Sequence, residues 1–546
     1  MMNSGLSRSL RTHVIVLLLF SSCYFAGIVT LAARRHMWSD EIQTYHFSRL
    51  PSLQTLWRGL SEGPEGSGPL LFLSVRGAYA LMGDTPLATR MPSVIGVWVM
   101  ACCLYAFVAR RYPPAVALVA LLFPLTTNLF YFSIEGRPYG LFLGFTGLGL
   151  LCWQAASEGR GRPWSVLGLW LSLALAVAAH YYAVLVFIPF GLAELTRTAR
   201  RKRVDVPVWF ALFGGLIPLA FCVPLLRNTA SYSVYTRGGI SWLLVIDFYD
   251  WLLEKSQLPL LGALGLVALI QSLGVGRSAS VEAGDDQPPP PAQEVVAAGA
   301  LVILPVFMIA LGKLATGVTQ HRYCVPAAAG IGLLLAFVVG RLRGRESAGY
   351  TIGGVLSVWL LLAVFGRALI SGAYSDKYTR GNPLEIPVRG GLPVATHDLG
   401  SFLQNNYYAN DEVNASFCYI TGVKDCLTET MAKKMRPWVS PVKPLVIRDY
   451  PEFVAAHDRF LIYGSRDSFD SIGVLVDRLK ADGATVELVD TKSLGFGGGQ
   501  VFFQLYEVTK GRWRDAGAAP PASPAPSAAS ESSALGRNDP NPSARQ

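Results

Sequence analysis

Charge is scarce in this chain. Only 15% of its 546 residues are Asp, Glu, Lys or Arg, against about 25% in soluble domains, and mean hydropathy is positive. That balance excludes an ordinary cytosolic enzyme. The sequence contains no Walker loop, no HExxH zinc motif and no GxSxG nucleophile elbow, so the common soluble routes to phosphate, zinc and acyl chemistry lack their markers. No internal repeat of fixed period is present. The one dense glycine run, Gly495-Phe-Gly-Gly-Gly499, precedes a strand instead of opening a helix and reads as a turn. Of only eight cysteines, Cys23, Cys102, Cys103, Cys152, Cys222 and Cys324 lie in or beside apolar runs, where they serve as small buried residues. Cys418 and Cys426 share a hydrophilic segment and could pair if it faces an oxidising compartment.

What the chain has instead is long apolar runs, of roughly the 17 to 25 residues that cross a bilayer as a helix. About eleven spans are expected, near 14–33, 91–109, 114–131, 139–157, 164–180, 182–196, 206–225, 258–275, 295–315, 323–340 and 351–371. The apolar run of the first continues to Ala33 and outlasts a signal peptide. Basic residues exceed acidic ones by 47 to 37. In a soluble protein that excess would suggest nucleic acid; here it sits largely in short loops and sets topology, and no nucleic-acid partner is expected. With the N-terminus inside, Arg110-Arg111, Arg160, Arg162, the cluster Arg197 to Arg203, Arg277, Arg341, Arg343 and Arg345 all fall on the cytoplasmic side. Arg34 and Arg35 are the exceptions.

The other side then receives 34–90, the link Glu135-Gly-Arg-Pro138, the 226–257 loop, the 316–322 link and everything beyond about 372. Within 34–90 two semi-apolar stretches, 42–60 and 69–82, suit helices lying along the interface, and 240–255 suits a third. Residues 372–510 form a second domain: from 391 on, short strands such as Pro444 to Ile447, Phe460 to Tyr463 and Gln500 to Val508 alternate with helical patterns such as Ser471 to Ala481, an α/β arrangement outside the membrane. The Asp285 to Pro291 patch reads as a flexible loop, and 511–546, rich in Ala, Pro and Ser, as a disordered tail. The fold class is thus a polytopic α-helical membrane protein with a C-terminal extramembrane α/β domain.

Charged groups at a membrane boundary are unfavourable unless they face water, pair or act. Asp40 and Glu41 follow the first span and could provide a general base or hold a divalent cation, or else begin a helix, with Ser39 or Asp40 capping it. Glu135 and Arg137 sit in a link with almost no loop; the pair could bind each other or backbone, or Glu135 could face the same cavity as Asp40 while Arg137 meets an anion. His180, in a tight turn, could contact substrate or metal or serve as a satisfied helix-end group. His321 and Arg322 suit a phosphate, Arg through its fork of donors, or could snorkel to the interface.

Taken in order, Ser39-Asp-Glu41, GDTPLATRMPSVIG at 83–96, SIEGRPYGL at 133–141, AHYYAVL at 179–185 and RYCVPAAAGIGLLLA at 322–336 resemble the GT-C membrane glycosyltransferases that use polyprenyl-phosphate sugars. The likeness is to their protein mannosyltransferase and bacterial aminoarabinose transferase branch, over about 14–340. The resemblance implies that 1–371 is a glycosyltransferase core with Asp40 as catalytic base, Glu41 its companion and Glu135 the second acid. The donor phosphate falls to Arg137, His321 and Arg322. No cofactor is demanded, though a divalent cation is compatible. Where relatives carry a His-Pro-Pro element, this chain has Gly66-Ser-Gly-Pro69, so a polar ligand is lost and Glu62 or Glu65 would have to replace it. The resemblance further implies an inverting transfer to a lipid-glycan or protein acceptor in a bacterial inner membrane, with the catalytic side and second domain extracytoplasmic. A polytopic transporter and a membrane-anchored receptor or assembly protein are the competing readings. Sugar, acceptor and oligomeric state leave no mark in the sequence.

Overall fold

A computed structural model of the chain describes residues 2–230, 240–272, 289–342, 344–380, 391–408, 415–424, 426–438, 444–465, 472–496 and 499–511. Prolines and capping side chains set most helix boundaries. Thr85 accepts a hydrogen bond from the N–H of Ala88 at 3.1 Å and Pro86 fills the first turn, where a missing N–H is harmless, so a helix runs from Pro86 to Ala109. The helix Pro114–Thr126 starts on a proline too. It stops short of the expected 131, because the Thr127 hydroxyl accepts from the N–H of Leu129 at 3.1 Å and turns the chain into a 3₁₀ segment, Asn128–Ser133.

Among the described residues, six helices are long and apolar enough to cross a membrane: Leu10–Arg34, Pro86–Ala109, Tyr139–Ser157, Arg162–Ala179, Tyr181–Arg201 and Arg345–Gly366. Two bent pairs, Leu244–Leu253 with Gln257–Ser272 (66°) and Ala292–Val302 with Leu304–Thr316 (52°), would add two more. Pro305 interrupts the backbone ladder of the second pair. Shorter apolar helices, Pro114–Thr126, Val206–Phe221 and Pro326–Val339, occupy the other expected positions. The run expected at 206–225 is broken beside Gly214-Gly215 and again before Pro224, into Val206–Gly214, Ile217–Phe221 and Val223–Ala230. Between the first two long spans lie the short helices Ser39–Ser48, Leu53–Glu62 and Pro69–Met82. The chain is a polytopic helical membrane protein followed by an α/β region. Its contacts divide it into two units, Met1–His36 with Gln43–Ser375, and Met37–Ile42 with Asp376–Gln546.

In the first unit the helices Pro86–Ala109 and Tyr139–Ser157 cross with almost no side chain between them. A Cβ on Gly96 would lie 2.1 Å from the carbonyl oxygen of Gly140, and one on Gly140 would lie 2.5 Å from the Cα of Ser93. Small residues let membrane helices approach this closely and pack by dispersion. Because the opposing atoms are backbone and cannot rotate aside, Gly140→Val is expected to destabilise the protein by about 3 kcal/mol, at the upper end for overpacking. Denaturant unfolding of the purified chain measures it, and an unchanged midpoint would contradict the close crossing.

The second unit holds a six-stranded sheet of β1 (Val394–Thr396), β2 (Phe417–Thr421), β3 (Ile447–Asp449), β4 (Arg459–Ser465), β5 (Thr485–Phe496) and β6 (Gly499–Thr509), in the order β3-β2-β1-β4-β6-β5. The first four are mutually parallel and β6 runs antiparallel to both its neighbours. Buried Asp398 ties β1 to β4: its carboxylate accepts from the Ser401 hydroxyl at 2.5 Å and from the N–H of Ser465 at 3.1 Å. Burial raises its carboxyl above the usual range despite these bonds. Cys418 and Cys426 are free thiols, contrary to the pairing considered above. Cys418 points into the apolar core with Ile420, Phe453 and Leu475, where burial pushes its thiol up to about 12, while Cys426 precedes the helix Leu427–Met435 with its sulfur 3.4 Å from the Thr428 hydroxyl. β5 and β6 form a hairpin with Phe496 opposite Gly499. Gly497 and Gly498 lie outside the described residues, as do Arg277, most of the Asp285 to Pro291 patch and the tail from 512 on.

Candidate active site

The link before the helix Tyr139–Ser157 is held by its own backbone and by a neighbouring helix. The N–H of Arg137 donates to the carbonyl of Glu135 at 2.8 Å, and the Ser93 hydroxyl donates to the carbonyl of Arg137 at 2.6 Å. So fixed, the Arg137 guanidinium meets Glu65 through two prongs, Nη1 to Oε2 at 3.0 Å and Nη2 to Oε1 at 3.1 Å, and reaches the Thr44 hydroxyl at 3.2 Å. Both partners are buried, Arg137 at 7% and Glu65 at 2% exposure. Glu65 Oε1 accepts further from the N–H groups of Gly66 and Ser67, each at 3.0 Å. Burial alone would raise the Glu65 carboxyl, but the charge of Arg137 and hydrogen bonds from Arg137 and Ser67 outweigh it and hold the group below its ordinary value. The anion that Arg137 meets is therefore supplied by the chain itself. Glu62, the other acid in that stretch, is exposed and faces Arg58 at 3.8 Å.

The segment Gly66–Pro69 is built for close approach. The N–H of Gly68 donates to the carbonyl of Ala179 at 3.0 Å, and a Cβ there would lie 2.1 Å from the oxygen of Ala178. The Tyr181 hydroxyl donates to the carbonyl of Ser67 at 3.3 Å. This strap thus docks on the end of the helix Arg162–Ala179, and His180 follows at once. His180 Nδ1 accepts from the N–H of Tyr182 at 3.2 Å, a local cap that requires an unprotonated Nδ1, and its ring lies 5.2 Å from Tyr139 and 5.0 Å from Tyr323.

A second cation joins this cluster from far along the chain. The short 3₁₀ turn His321–Tyr323 precedes the helix Pro326–Val339, and the Arg322 guanidinium lies 5.6 Å from the centre of the Tyr139 ring. Tyr323 stacks on Tyr182 at 4.1 Å, and the Tyr182 hydroxyl donates to the carbonyl of Val318 at 2.6 Å, which fixes the 316–322 link. His321 packs against Trp251 at 5.5 Å. Burial lowers its ring below the ordinary value, with Asp247 working the other way, so His321 is neutral at pH 7. Arg137, His180 and Arg322 are brought together around Tyr139. His321 stands one residue away on the Trp251 side.

Arg35, at the end of the first span, and Arg90, in the next long helix, also have structural reasons for their places. Arg35 lies over the Tyr131 ring at 4.4 Å and donates to the carbonyl of Ile134 at 3.2 Å. Fully buried Arg90 donates to the carbonyls of Ala32 at 2.5 Å, Arg35 at 2.7 Å and His36 at 3.1 Å, capping the end of the first helix with a cation where its dipole is negative. Both roles were invisible in a count of loop charges. Glu135 is buried at the start of the same link as Arg137. Asp40 and Glu41 lie in the first turn of the helix Ser39–Ser48, and Glu41 Oε2 accepts from the N–H of Trp38 at 3.3 Å, a reach-back of three residues that caps the helix. Glu41 is buried and Asp40 half-buried. Among the described residues, no three His, Cys, Asp or Glu side chains converge as a metal site.

Residues 66–227 match the model of the dolichyl-phosphate-mannose-protein mannosyltransferase family. This stretch is similar to that glycosyltransferase family over about a third of the chain. The matched segment carries Arg137, Tyr139 and His180, and begins one residue after Glu65. No curated protein sequence matches the chain. Its fold is similar to that of ArnT from Cupriavidus metallidurans in the apo state, with a TM-score of 0.53 and 11% identity over 91% of this chain and 98% of that one. The structure of ArnT bound to undecaprenyl phosphate gives a TM-score of 0.51 at 11% identity, over 91% and 97%.

Proposed function

We propose that the chain is an inverting glycosyltransferase that moves a sugar from a polyprenyl-phosphate donor to a hydroxyl of a lipid glycan or protein, at the extracytoplasmic surface of a bacterial inner membrane. The observation that carries this reading is the gathering of Arg322, Arg137 and His180 around Tyr139 at the ends of membrane-spanning helices, inside or beside the mannosyltransferase-family segment. A lipid-linked sugar phosphate presents its reactive carbon at that depth and its chain to the bilayer. Undecaprenyl phosphate in the similarly folded ArnT is a lipid of this class.

In the proposed reaction the acceptor oxygen bonds to the anomeric carbon from the face opposite the phosphate. The bond from that carbon to the phosphate oxygen breaks, and the lipid phosphate departs with the electron pair. The acceptor proton passes to the Asp40 carboxylate. Arg322 stabilises the charge that grows on the leaving phosphate, and His321 adds a neutral N–H donor. Arg137, already joined to Glu65, places the link bearing Glu135, while His180 holds the turn beside it and Glu41 the helix of Asp40.

Purified protein incubated with a panel of polyprenyl-phosphate sugars should release lipid phosphate from at least one. Arg322→Ala is expected to raise KM for that donor about 10- to 100-fold, the worth of a hydrogen bond to a charged group. Donor kinetics in which Arg322→Ala matches the parent would remove Arg322 from the phosphate site.

A further inference from the structure

The helices that converge on Tyr139 and His180 have their other ends at a second polar feature. Ser157, which closes the helix Tyr139–Ser157, lines a cavity of about 400 Å³ together with Arg197, Arg200 and Arg201 of the helix Phe187–Arg201 and with Pro291, Ala292 and Gln293. The three arginines are not equivalent. Arg197 is buried and engaged, Nη1 with Glu194 Oε1 at 2.7 Å and Nη2 with Asp205 Oδ2 at 2.8 Å, so it forms a rigid wall. Arg200 and Arg201 are exposed and make no ion pair among the described residues. Facing them is the first turn of the helix Ala292–Val302, whose two leading N–H groups, those of Ala292 and Gln293, and positive dipole end favour an anion, the Glu294 carboxylate of the same turn being taken up by Arg111 at 3.3 Å. Leu192 and Leu195, on the same helix as the arginines, are 37% and 54% exposed. Apolar surface for fatty chains therefore adjoins the cations.

We propose that this cavity binds the phosphodiester headgroup of an anionic phospholipid, with Arg200 and Arg201 as its charged contacts and the start of the helix Ala292–Val302 as its neutral donors. Basic pockets between helix ends at a membrane surface hold such headgroups by charge and by adjoining chain contacts together. A free phosphate ion would share the first and lack the second. The site stands on its own geometry and is independent of the transferase reading.

Native mass spectrometry of the full chain in detergent tests it, with phosphatidylglycerol and phosphatidylcholine as probes. Phosphatidylglycerol is expected to be retained in preference, and Arg200→Gln with Arg201→Gln should weaken its binding about 30-fold, as the loss of two surface arginines implies. The paired lysine replacement at both positions should keep most of the preference, and phosphatidylcholine melting curves should coincide for all three proteins, which separates loss of charge from loss of fold. Equal retention of the two lipids overturns the proposal. So does an unchanged preference in the double glutamine variant, or displacement of the lipid by millimolar inorganic phosphate.

Discussion

Asp40→Asn is expected to leave a folded, membrane-inserted protein whose turnover is about 10² to 10⁴ lower, the usual contribution of a positioned general base. The substitution keeps the shape of the side chain and leaves the Glu41 cap on Trp38 untouched, so the start of the helix Ser39–Ser48 should persist. What disappears is the capacity to take a proton. Single-turnover release of lipid phosphate measures the chemistry, and a thermal melt of the same sample measures the fold. A melt that matches the parent beside a rate that also matches it would falsify the assignment of Asp40 as base.

Removing Glu65 should have the opposite profile, with stability lost first. Glu65→Ala leaves the buried guanidinium of Arg137 without its two-pronged partner, and breaking a buried pair in this way typically costs about 3–5 kcal/mol. The Gly66 and Ser67 N–H groups lose their acceptor at the same time. Denaturant unfolding should register the loss. Replacing both Glu65 and Arg137 by Met should recover much of it, since apolar residues of similar volume often substitute well for a buried pair. The pair also predicts a pH response. The folded Glu65 carboxyl lies below its unfolded value of about 4.3, so its stabilisation is fully present above that value and is lost as the pH falls through the lower folded one. The parent should therefore lose stability on acidification below about pH 4.3 more steeply than the double Met variant; parallel acid profiles would show that the pair does not titrate in this way.

Apolar periodicity located the membrane elements because a span must hide its backbone along its whole length, and that requirement writes itself into about twenty consecutive residues. It placed boundaries less well where a single side chain decides them, as at Thr127, or where paired glycines and prolines break a run, as beside Gly214 and at Pro224. Strands Phe460 to Tyr463 and Gln500 to Val508 were legible from β-branched and aromatic residues. The three-residue β1 was not, because nothing so short carries a period. At the site, Arg137, His180 and Arg322 stood out in the sequence as charged or polar groups beside apolar runs; the partner of Arg137 did not. Glu65 lies 72 residues away in a strap whose course is dictated by Gly68 pressing on Ala178, a close approach that no local pattern announces. Likewise Arg90 reads as a charge near the start of a span, and only the fold reveals that it closes the previous one.

That last contact orders the making of the protein. The carbonyls of Ala32, Arg35 and His36 are gripped by a side chain more than fifty positions later, so during synthesis the leading helix enters the bilayer with its trailing edge unclasped. Only when the next long helix has emerged from the ribosome can the latch form, so the end of the leading helix is completed as an act of assembly and not of local folding.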